Sequence, residues 1–89
     1  MARIILSAYK AEMNGSLLSV YGFGEDTFPQ RIVEIRNAAE AAEAFEQYRS
    51  EAEATGRSLA LSMRVVKGDR SPPGFKKLNG GNRWPTVNL

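Results

Sequence analysis

The chain has 89 residues, 12 Lys and Arg against 10 Asp and Glu, and neither cysteine nor histidine. Those two absences exclude a disulfide framework, a thiolate or imidazole metal site, a cysteine nucleophile and a Ser-His-Asp triad. With 43% hydrophobic and 25% charged residues and a net charge of +2, the composition is that of one small soluble domain near the lower size limit for a hydrophobic core.

Residues 3–24 read as a β-hairpin. Asn14-Gly15 is a strong short-range turn signal, because both residues tolerate positive φ. The same triplet with Ser16 matches a glycosylation sequon, but a turn is the simpler use of it. A two-residue loop there would pair Met13 with Ser16, Tyr9 with Val20, Ala8 with Tyr21 and Leu6 with Phe23. One face then holds Ile4, Leu6, Ala8, Leu17, Tyr21 and Phe23 and is assigned to the core. The other holds Ile5, Tyr9, Ala11, Leu18 and Val20 and is unusually apolar for a solvated face. Tyr21-Gly22-Phe23-Gly24 lacks the third glycine, the lysine and the following helix of a phosphate-binding loop, and it reads as strand.

Residues 24–30 form a loop, and residues 30–36 alternate as a third strand with Val33 and Ile35 pointing one way. Asn37 begins a helix, with Glu40 three residues on as a capping box. Residues 38–55 are rich in Ala and Glu, with Ala41, Phe45, Tyr48 and Ala52 on one face and Gly56 positioned to end the helix. Residues 58–67 give the clearest strand: Leu59, Leu61, Met63 and Val65 point one way, and Ala60, Ser62, Arg64 and Val66 the other. Turn residues from Gly68 to Gly74 end it.

The expected organisation is an α+β domain over 1–67 and a C-terminal turn and tail over 68–89, packed on the domain or on a partner. The expected architecture is a two-layer sandwich of order β-β-β-α-β, with one helix on a four-stranded mixed sheet and an irregular basic tail. The helix should make the third and fourth strands a parallel pair.

Charge divides unevenly. Residues 1–36 are balanced, 37–63 carry −3 and 64–89 carry +5. The basic tail suggests an anionic partner. Arg64, Lys67, Arg70, Lys76, Lys77 and Arg83 are the candidate phosphate contacts, and Phe75 and Trp84 the candidate rings for stacking on bases. Ile5, Tyr9, Leu18 and Val20 form a second candidate, an apolar patch suited to a protein interface.

No arrangement of Glu, Lys, Tyr or Ser forms a catalytic motif, so no enzyme activity, cofactor, metal or small-molecule substrate is expected. No apolar run approaches the roughly 20 residues of a membrane span, and a cytoplasmic location is expected. The reading is a small binding protein acting through macromolecular contact. It would be a homodimer or an inhibitor docked on a larger complex, a class frequent in phages and mobile elements. Nucleic-acid binding by the tail is the alternative.

Overall fold

The structure, a computed structural model, describes residues 1–21, 28–75 and 85–89, with the side chain of Tyr21 outside that set. Its elements are β1 (Ala2–Asn14), β2 (Leu17–Tyr21), β3 (Arg31–Ile35), α1 (Ala38–Ala54), β4 (Leu59–Val65) and β5 (Thr86–Val87). The fold is α+β, with one helix packed on an open five-stranded sheet.

β1 organises the sheet. Its 13 residues extend over about 40 Å, long enough to hold two short strands end to end along one edge. Residues Ala2–Leu6 pair with β3 and residues Lys10–Asn14 with β2. The other edge pairs with β4 from Ile4 to Lys10, and β5 adds to the far side of β4 at Leu59 and Ala60. Every pairing is antiparallel. The expected four-stranded mixed sheet is therefore corrected to a five-stranded antiparallel one. β3 and β4 do run in the same direction, as a helical connection requires, but β1 lies between them. The connection through α1 steps over β1, and no parallel hydrogen-bonded pair forms. β3 pairs with β1 rather than with β2, so the first three strands do not follow one another across the sheet as a meander would.

The hairpin register differs by two residues from the expected one. Asn14 lies opposite Leu17 and Lys10 opposite Tyr21, so the turn is Gly15-Ser16. Gly15 has φ +66° while Ser16 is absent from the positive-φ residues, the φ pattern of a type II′ turn, which needs glycine only at its first central position. Asn14 stays in the strand, and its Nδ2 donates to Ser19 Oγ at 3.1 Å. A shift of two residues preserves the side-chain period, so the assignment of faces survives.

The core lies between α1 and one face of the sheet. Ile4 and Leu6 of β1, Ile35 of β3 and Leu59 and Leu61 of β4 are fully buried there. Alternation of apolar residues in β3 and β4 thus points as expected. From α1, Ala41 and Ala52 are buried, and Ala44 and Phe45 are partly so. The alanines let the helix lie close, and Tyr48 fills the space between. Val87 and Phe75 complete the core from the C-terminal part of the chain.

Tyr48 ties the helix to the chain entering β3. Its ring meets Phe28 edge to face, with centroids 4.8 Å apart. Its hydroxyl donates to the Pro29 carbonyl at 3.1 Å. The Arg31 guanidinium sits 5.4 Å from its centroid and grips Glu51 with two hydrogen bonds of 2.9 and 3.1 Å. Burial, only partly opposed by Arg31, pushes the Tyr48 phenol up to about 12. At the start of α1, Asn37 Oδ1 accepts from the Glu40 N–H at 2.9 Å, half of the expected capping box. The reciprocal bond is displaced by one residue: the Glu40 carboxylate accepts from the Arg36 N–H rather than that of Asn37. Gly56, at φ +74°, closes the other end as expected.

Replacing Tyr48 separates the two roles of its side chain. Tyr48→Phe should cost about 1 kcal/mol, the net worth of one hydrogen bond. Tyr48→Ala should cost about 3–5 kcal/mol through the cavity it leaves. Urea unfolding of both variants checks the difference.

Candidate interaction face

Odd-numbered residues of β1 point away from α1. Among the described residues no helix or strand lies over that side of the sheet. Ile5 stands between Ile32 of β3 and Arg64 of β4, which forms a row across three strands. Tyr9 lies opposite Ala60, Ala11 opposite Val20 and Met13 opposite Leu18. In the middle, Ser7 is buried and accepts a hydrogen bond from Gln30 Nε2 at 3.0 Å.

The four residues expected to form the apolar patch, Ile5, Tyr9, Leu18 and Val20, therefore share this face, and all four are half-buried. The most exposed apolar side chains on it are two that the sequence reading left out of the patch. Ile32 is 61% exposed and Met13 is 48% exposed. The signal for Ile32 was available: with Val33 and Ile35 inward, strand alternation sends Ile32 outward. Alternation along β1 likewise puts Met13 on the face of Ile5 and Tyr9, whichever of the two registers the hairpin takes.

Leu17 corrects the core assignment. It lies on the helix side of the sheet but is 71% exposed. A 17-residue helix is about 25 Å long and does not reach the hairpin tip. Glu12, Met13 and Asn14 are all exposed, so the end of the hairpin projects past the core with both of its faces open.

The basic residues gather at the opposite end of β1. Arg64 is exposed on the open face, and Lys67 and Arg70 are exposed in the loop that follows β4. Among the described residues none of the three takes part in an ion pair. That loop folds back on the start of β1. Val66 N–H donates to the Arg3 carbonyl at 2.9 Å. Asp69 Oδ2 accepts from the Arg3 N–H at 2.8 Å and from its Nε at 3.1 Å. The Arg3 side chain, then its backbone N–H, holds the Asp69 carboxyl below its ordinary range.

Phe75 does not serve as a stacking ring. It is 4% exposed and belongs to the core, because burying an aromatic ring is worth more than leaving it in water. Lys76, Lys77, Arg83 and Trp84, the remaining tail candidates, lie outside the described residues.

The acidic helix is largely neutralised. Glu40 pairs with Arg36, Glu46 and Glu53 with Arg49, and Glu51 with Arg31. Glu43 has no such partner among the described residues. A shallow groove of about 480 Å³ runs along this outer surface between Glu43, Glu46, Gln47, Ser50 and Glu51. Two of its three carboxylates are already engaged by arginines.

No family model matches the chain, and no curated protein or solved structure matches it. No described helix is long and apolar enough to cross a membrane.

The Arg3–Asp69 pair predicts a pH dependence. A depressed folded-state pKa adds stability that is fully present above the unfolded value, about 4 for Asp, and is lost as pH falls through the folded value. Asp69→Asn should lower the urea midpoint near neutral pH and converge with the parent once the pH has fallen through the depressed folded-state value. A constant offset at all pH values would contradict this role.

Proposed function

We propose that the chain is a non-catalytic protein-binding module that docks on a partner protein through the sheet face opposite α1, in the manner of an inhibitor that occludes a larger complex. The observation that carries this reading is the exposure of Ile32 and Met13 at the two ends of a face that also bears Ile5, Tyr9, Leu18 and Val20. Large aliphatic side chains left in water at both ends of one face gain most by being covered. Tyrosine among them suits a contact surface, since its ring is apolar and its hydroxyl polar. A composition without histidine or cysteine favours recognition by shape and charge over chemistry. A cysteine-free sequence also suits the cytoplasm, where we place it.

A second reading has its own observation. Arg64, Lys67 and Arg70 are exposed cations without ion pairs among the described residues, and Arg64 stands beside Ile5 on the same face. This arrangement supports contact with a nucleic-acid backbone, with the burial of Phe75 removing one of the two rings assigned to the bases.

Capture experiments with the full chain separate these readings. The double variant Met13→Lys/Ile32→Lys should lose a protein partner that the parent retains, while Glu43→Lys on the outer side of α1 should keep it. Loss with Glu43→Lys and retention with the double variant would overturn the first reading.

For nucleic acid, oligonucleotide affinity should fall steeply with salt, and charge removal at Arg64, Lys67 and Arg70 should reduce the slope of log K against log salt by up to about 3. No binding at low salt would exclude the second reading.

A further inference from the structure

β2 ends the sheet on its side of β1, and among the described residues no strand lies beyond it. In an antiparallel ladder, alternate residues turn their backbone groups toward one neighbour and then the other. The two-residue turn makes Asn14 and Leu17 a hydrogen-bonded pair, so the backbone groups of Leu17, Ser19 and Tyr21 face β1. Those of Leu18 and Val20 point outward, and no described backbone group bonds to them there.

Unpaired backbone groups at a sheet edge recruit further strands, and charges, proline, short length or a bulge ordinarily prevent it. The other outer edges carry such devices. β3 has Arg31 and Glu34, the half of β4 beyond β5 has Arg64, and β5 is two residues long with Pro85 before it. The five residues of β2, Leu-Leu-Ser-Val-Tyr, contain no charge, proline or glycine. Their register against β1 is unbroken, so no bulge turns this edge away. The helix also stops short of it, which leaves Leu17 exposed.

We propose that β2 is a self-pairing edge: two copies of the chain join β2 to β2 antiparallel about a twofold axis at Ser19, making one continuous sheet. Three features of the edge fit a second copy. Its outward groups lie one residue to either side of Ser19, so Leu18 of each copy exchanges both backbone bonds with the second copy's Val20. No rung sets like charges opposite each other, since Leu18 meets Val20, Leu17 meets position 21 and Ser19 meets its own equivalent. On the open face, Met13 and Leu18 are continued by the second copy's Val20 and Ala11, an apolar row across four strands. The dimer leaves Ile32 uncovered and keeps both open faces on one side of the sheet. It does not rest on the protein-binding role proposed for that face.

A chain without cysteine allows a test by single-cysteine crosslinking. At the axis, position 19 and its equivalent form a non-hydrogen-bonded pair with Cα atoms about 4.5 Å apart, within disulfide range. Under mild oxidation, Ser19→Cys should form a covalent dimer at least about tenfold faster than Ile32→Cys, because pairing raises the effective concentration at position 19. Exposure alone would favour position 32, since Ile32 is exposed and Ser19 half-buried. Light scattering of the parent at millimolar concentration should show a dimer. Ser19→Lys and Ser19→Glu should each weaken it about tenfold by opposing like charges across the axis. Mixing those two variants should restore it, and Ile32→Lys should leave it unchanged. A monomeric parent would overturn the proposal. So would equal crosslinking at positions 19 and 32, a dimer that neither charge weakens, or one abolished by Ile32→Lys, which would belong to the open face.

Discussion

A helix about 25 Å long has to shelter a sheet whose central strand runs over about 40 Å, and most of the molecule follows from that mismatch. The helix is set over the part of β1 that β3 and β4 flank, where Ile4, Leu6 and Ala8 are buried. Beyond it the hairpin continues alone, with Leu17 exposed on the side where a longer helix would have covered it. The remaining margin of the core is closed by Phe28 from the segment before β3 and by Phe75 and Val87 from the C-terminal part. Tyr48 is the point at which the helix and the chain entering β3 are tied together, through a ring contact, a hydrogen bond and an arginine shared with Glu51. Exposed pairs such as Arg31–Glu51 are individually worth little. This one adds the orientation of the guanidinium over the ring.

Charge is distributed by the same division of the molecule. Of the five carboxylates in residues 37–63, four are engaged by Arg31, Arg36 and Arg49. Arg3 is likewise engaged by Asp69. Cations that remain unengaged among the described residues include Arg64, Lys67 and Arg70, near the end of β1 opposite the hairpin tip. The open face thus carries exposed apolar side chains at both ends, Met13 toward the hairpin and Ile32 toward the other, with the cations at the end that bears Ile32. A partner that is apolar over one part and acidic over the other would complement both.

Much of this was legible in the sequence where a local rule decided the outcome. Alternation placed Leu59, Leu61 and Met63 inward, helical spacing placed Ala41, Tyr48 and Ala52 on one face, and Asn37 capped α1. Pairing partners were not legible, because they depend on the length of β1 and on which of its two edges each strand reaches. Nothing local in Arg31–Ile35 says that it will pair with the first half of β1 instead of with β2. Gly15-Ser16 and Asn14-Gly15 both satisfy turn chemistry and differ only in register, so the faces could be assigned while the rungs were misplaced. β5 was invisible for a related reason: two residues have no period, and their strand character comes entirely from the β4 edge that receives them.

The face opposite α1 is proposed above as the surface by which the chain acts. The most direct measurement is site-specific photocrosslinking from the full-length protein in its native cell, with the reactive side chain at position 32 on the open face or at position 43 on the outer side of α1. Discrete protein adducts are expected from position 32 and none from position 43. Adducts from position 43 alone, or the same adducts from both positions, would contradict it.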